Sequence, residues 1–147
     1  MSAAGPRPGP AEDDLRRTYD VDGPVGAPAI VFLHGTRLCR SVWSPQMTDL
    51  RADHRVIAMD LPGHGALARE PFTLAAARDH AKRPLEEAAG GRAVLAGLSL
   101  GGYVAMEVAA TVASYHIAHL PCPYSVSSWL KLSLAAPGSP YLRTRFT

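Results

Sequence analysis

The chain has 147 residues, of which 47% are hydrophobic and 19% charged, with a formal net charge of +2. That supplies the core of one ordinary domain and excludes a wholly disordered chain, while the charge is too mild to argue for nucleic acid or an anionic membrane surface as partner. Cys39 and Cys122 stand far apart without a CxxC, and the six histidines show no metal-ligand spacing. His116 and His119, three residues apart, could meet on a helix, but no further ligand lies near them. Neither a metal nor an organic cofactor is implied, and a reducing, cytoplasmic setting is expected.

Met1 to Asp14 is rich in proline and glycine and reads as a flexible tail without the apolar core of a signal peptide. Leu15 to Asp20 is a plausible short strand, stopped by Asp22, Gly23 and Pro24. Ala29 to Leu33, "AIVFL", is a continuous apolar run with β-branched members, which suits a strand buried on both faces. "HGTRLCRS" follows as a loop. Trp43 to Arg51 is a short helix, with Ser44 as possible N-cap and Pro45 at the first helical position.

His54 to Met59 is a second strand, and "DLPGHG", Asp60 to Gly65, a turn-rich loop. Thr73 to Ala89 reads as a helix capped by Thr73, which Pro84 should kink or split. Arg92 to Gly97 is a third buried strand, and Leu100 to Ala113 a second long helix. The apolar window Ala93 to Ala113 is long enough to span a bilayer, but its glycines, Ser99 and Glu107 favour a strand, a turn and a helix. Alternating strands and helices predict a parallel sheet with right-handed crossovers, whose site lies at the carboxyl ends of the strands.

Two motifs fall at such ends. "GLSLG", Gly97 to Gly101, matches G-x-S-x-G between a strand and a helix. A serine exposed on so sharp a turn needs tiny residues two before and two after it, and Gly97 and Gly101 supply them. The turn also aims the unpaired N–H groups of the following helix at developing negative charge, so the Leu100 N–H is a candidate oxyanion donor. "FLHG" ends the first long strand, where Gly35 permits close backbone approach and Thr36 N–H is a candidate second donor. His34 is read as a structural histidine of this loop. Asp60 and His64 could be two members of a triad, but Asp60 reads better as a turn former that bonds backbone N–H groups.

Together, "HG" at a strand end, Trp43 soon after it, "D-x-P-G-H-G" and "G-x-S-x-G-G" resemble the α/β-hydrolase fold family over Leu15 to Ala113. The resemblance implies a three-layer α/β fold with a mostly parallel sheet, with Ser99 as nucleophile and the N–H groups of Thr36 and Leu100 as oxyanion hole. His34, Gly35, Gly97 and Gly101 become structural motif residues, and a small-molecule acyl substrate is expected. A serine at the elbow argues against the branches that use aspartate there. In the family the triad acid and histidine follow the elbow. Here the only later acid is Glu107, on the elbow helix, and His116 and His119 come too soon, so acid and base stay unassigned.

All 13 acidic residues lie at or before Glu107. Residues 114–147 therefore read as an atypical segment, and the hydrolase fold as an N-terminal half cut after the elbow helix. Such a cut would leave the last strand as an apolar edge open to self-association unless the tail or a partner covers it. Two readings remain: a serine hydrolase of carboxylic esters or similar acyl compounds, and a catalytically incomplete fragment or binding module that keeps the pocket.

Overall fold

The computed structural model describes residues 18–111 and the backbone of 115–120. Five strands form one sheet: β1 (Tyr19–Asp22), β2 (Ala29–Leu33), β3 (Arg55–Met59), β4 (Ala93–Leu98) and β5 (Tyr115–Leu120). Their spatial order is β1-β3-β2-β4-β5, with β1 antiparallel to β3 and every other pair parallel. Three helices accompany them: α1 (Ser44–Leu50), α2 (Leu74–Glu87) and α3 (Leu100–Thr111).

The layers follow from side-chain alternation. Successive residues of a strand face opposite sides, so a strand buried on both faces must be apolar throughout. In β2 the odd-numbered Ala29, Val31 and Leu33 share a core with Ala77, Ala81 and Leu85 of α2 and with Val104, Ala105 and Val108 of α3. The even-numbered Ile30 and Phe32 pack with Trp43 and Leu50 on the other side. The Phe32 and Trp43 rings lie 5.0 Å apart. Each fully buried aliphatic or Phe side chain of this kind contributes roughly 1.5–3 kcal/mol of transfer free energy.

Several boundaries move from their expected places. The first strand runs over Tyr19–Asp22, past the expected stop, because its ladder is set by β3, which pairs Asp22 with Val56. Leu15 to Arg17, the flexible-tail assignment and residues 121–147 lie outside the described residues. Ser44 is not an N-cap: a 3-10 turn over Arg40–Trp43 runs directly into α1, and the Ser44 hydroxyl donates to the Ser41 carbonyl (2.8 Å). Thr73 does cap α2, accepting from Ala76 N–H (3.0 Å).

Pro84 does not split α2, which runs through it as one helix. The lost hydrogen bond, a cost of about 3 kcal/mol in a helix interior, is offset by burial of Ala81, Pro84 and Leu85 together. The sheet also continues one strand past the elbow helix. Tyr115–Leu120 is a strand, not a helix, so the spacing of His116 and His119 has no helical meaning. It pairs with β4 from Ala93↔Tyr115 to Leu98↔Leu120, so β4 is not the open edge expected from the sequence. No helix among the described residues is long and apolar enough to cross a membrane.

Candidate active site

Because β2, β3 and β4 are parallel, the segments after Leu33, Met59 and Leu98 emerge at one edge of the sheet. Ser99 is the single residue between β4 and α3. Its φ is +51°, a left-handed conformation that costs a non-glycine residue roughly 1–2 kcal/mol. Gly102 N–H donates to the Ser99 carbonyl (2.8 Å), closing the turn into the helix.

Steric crowding explains the glycines on either side. A Cβ on Gly97 would stand 2.5 Å from Gly102 N and closer still to the Gly101 carbonyl group. One on Gly101 would lie 2.7 Å from the His34 carbonyl oxygen and would overlap the Leu33 carbonyl. Strand end, elbow and helix start therefore meet backbone to backbone. The loop after β2 stands against the same turn, since a Cβ on Gly35 would lie 3.6 Å from Ser99 Cβ. Ser99 and Thr36 are exposed, and Leu100 is the first residue of α3, where helix N–H groups lack intrahelical partners.

His34 is 0 % exposed and sealed off from solvent chemistry. Its Nδ1 lies 2.8 Å from the Gly35 carbonyl, which can only accept, while Leu61 N–H donates to Nε2 (3.0 Å). Those partners fix the neutral ring with its proton on Nδ1. Burial pushes the His34 pKa below its ordinary value, and the nearby His64 adds to the depression against the opposing pull of Gly35 O and Asp60.

A histidine kept neutral in the fold binds fewer protons than the unfolded chain below about pH 6.5. Its stabilising contribution is thus present above that pH and is lost on acidification, down to the depressed folded pKa. Urea midpoints measured from pH 7.5 to 5 should fall, and His34→Gln should flatten the part of the slope that His34 causes. An unchanged slope in that variant would reject the assignment.

Asp60 is 1% exposed. Its carboxylate accepts from the N–H groups of Arg40 (2.8 Å) and Ala66 (3.0 Å) and forms a close ion pair with the Arg40 guanidinium. Arg40 Nε also donates to Asp20 (3.0 Å). The backbone bonding matches the turn-forming role read from the sequence. The Arg40 partnership was not legible there, because twenty residues separate the two in the chain. His64 does not complete a triad with Asp60: its Nδ1 donates to the Pro62 carbonyl (3.0 Å), and its ring lies against those of His34 and Phe72. Glu107 accepts from Arg78 (3.2 Å), tying α3 to α2.

Among the described residues, then, no imidazole is bonded toward Ser99. His34 is committed to Gly35 and Leu61 and His64 to Pro62, His80 pairs with Glu70 (2.6 Å), and His54 precedes β3 at the opposite edge of the sheet.

A parallel-centred sheet between two helical layers, with a strained serine on its strand-to-helix turn, defines an α/β-hydrolase architecture. The chain belongs to the alpha/beta hydrolase family, whose model matches residues 30–147. Over 107 residues it is 36% identical to a pimeloyl-[acyl-carrier protein] methyl ester esterase of Xylella fastidiosa (strain M12), a match covering 69% of this chain and 40% of that protein. A shorter match, 38% identical over 48 residues, links it to 3-oxoadipate enol-lactonase 1 of Acinetobacter baylyi and takes in 33% of this chain and 18% of that one. The enol-lactonase from Burkholderia xenovorans LB400 superposes with a TM-score of 0.59 at 28% identity, over 68% of this chain and 41% of that structure. The chain spans about 40% of the length of the esterase it matches.

Proposed function

We propose that this chain carries the nucleophile half of a serine hydrolase acting on carboxylic esters, lactones or related small acyl compounds. Ser99 Oγ attacks the carbonyl carbon, and the backbone N–H groups of Thr36 and Leu100 receive the negative charge that develops on the carbonyl oxygen. The observation that carries this reading is the left-handed backbone of Ser99 at a turn where Gly97 and Gly101 leave no room for a side chain. Strain of this kind persists only where the surrounding structure over-determines it, and it clusters at active sites. Relatives named as an esterase and an enol-lactonase support the substrate class. The mild charge and two widely spaced cysteines fit a reducing, cytoplasmic setting.

A second reading has its own support: no described imidazole serves Ser99. In that reading the elbow and its backbone N–H donors persist without full turnover. Oxyanion stabilisation and binding alone leave serine hydrolases stripped of their triad roughly 10³–10⁴-fold above water. Incubation with a fluorophosphonate probe tests Ser99 itself. Slow covalent labelling that disappears in Ser99→Ala is the expected result, and labelling that survives the substitution, or none at all, would remove Ser99 as nucleophile.

A further inference from the structure

Two non-glycine residues among those described have left-handed backbone, Ser99 and Arg37, the latter at φ +62°. Arg37 is the third residue of a turn closed by Leu38 N–H donating to the Gly35 carbonyl (3.2 Å). With a positive φ at this position the turn is of the kind that takes glycine or asparagine there. Burial does not offset the strain, because Arg37 is exposed. Among the described residues, no hydrogen bond or ion pair engages its guanidinium.

Arg40, three residues further on, is by contrast held by Asp60 and Asp20. The turn bearing Arg37 stands directly against the elbow, because the Cβ position of Gly35 is 3.6 Å from both Ser99 Cβ and Leu38 Cδ1. An exposed arginine with left-handed backbone thus stands one residue from a candidate oxyanion donor, and backbone strain of this kind clusters at functional sites.

We propose that Arg37 is a specificity-determining residue that binds an anionic oxygen group, carboxylate or phosphate, on the acyl substrate of the Ser99 site. The proposal rests on the reading of Ser99 as nucleophile. A guanidinium presents a planar fork that matches either group with two hydrogen bonds. The substrates it favours carry a negative charge a short distance from the scissile carbonyl.

The test is a titration of the 147-residue chain, followed by NMR at the amides of Gly35 to Leu38. Three unreactive probes share one acetamide group: N-acetyl-β-alanine, N-acetylethanolamine phosphate and the neutral N-acetyl-β-alanine amide. Saturable shifts are expected with at least one anionic probe and not with the neutral one, and the tighter of the two identifies the group. Binding should weaken about five- to tenfold in Arg37→Gly, less in Arg37→Lys, and with added salt. Arg37→Gly relaxes the turn, so its Tm should be equal to or above that of the parent, which separates lost binding from lost folding. No binding by the parent chain, equal shifts with the neutral probe, or undiminished affinity in Arg37→Gly would overturn the proposal. Fluorophosphonate labelling of the same samples reports on Ser99 independently, so failure at one residue is not mistaken for failure at the other.

Discussion

Gly101→Ala is expected to destabilise the fold by about 3 kcal/mol or more, at the upper end of what overpacking costs. The added methyl would overlap the Leu33 carbonyl and stand 2.7 Å from the His34 carbonyl oxygen. Neither is the tip of a flexible side chain. They belong to the last residue of β2 and the one after it, and β2 is the strand hydrogen-bonded to β3 on one side and β4 on the other. To make room, α3 must lift away from the sheet and take Val104, Ala105 and Val108 out of the core. Against a typical domain stability of about 5–15 kcal/mol, such a loss is severe. Gly90→Ala is the control: unlike Gly101, Gly90 has left-handed backbone, at φ +66°, but a Cβ there meets nothing within 4 Å. Its cost should stay near 1 kcal/mol, the backbone share alone. Urea unfolding of both variants decides the matter, and a Gly101→Ala cost no larger than that of Gly90→Ala would refute the close-approach account.

The second large effect concerns Asp60. Asp60→Ala removes the acceptor for the Arg40 and Ala66 N–H groups and leaves the Arg40 guanidinium without its buried partner. Losing the buried acceptor of two backbone N–H groups together with one side of a partly buried ion pair costs about 3 kcal/mol. Asp20→Asn, on the other partner of Arg40, should cost under about 1 kcal/mol, since Asp20 is 57% exposed and solvent screens it. Amide hydrogen exchange adds a local readout. Loss of Asp60 should raise exchange at Arg40 and Ala66, and protection there equal to that of the parent would mean that the carboxylate does not hold the two loops together.

How much of this was legible in the sequence depends on what kind of signal each part leaves. β2 and β4 announce themselves through continuous apolar runs, which a strand covered on both faces requires. The elbow is legible because its glycines are demanded by backbone packing at a fixed spacing. β5 was not legible: "YHIAHL" alternates only loosely, and its identity as a strand comes from the free side of β4, a partner many residues earlier. Pro84 misleads because the local rule that breaks a helix is overridden by the core that its turn enters. Arg37 is the opposite case. No glycine, asparagine or aspartate marks its left-handed backbone, so only the structure reveals it.

The strand order has a further consequence in time. β2 meets its neighbour β4 through pairs such as Ile30↔Val94, contacts between residues more than sixty positions apart. Contacts of such high sequence separation form late and slowly, since a long loop must close before they yield any stabilisation. A chain emerging from the ribosome holds β2 with one edge bare until β4 arrives. The same closure brings Gly97 and Gly101 against β2, so the strained serine is assembled in the step that joins β4 to the sheet. Any partly folded form lacking that pairing lacks the strained elbow as well, so the left-handed turn at Ser99 is absent from species that are still open to misassembly.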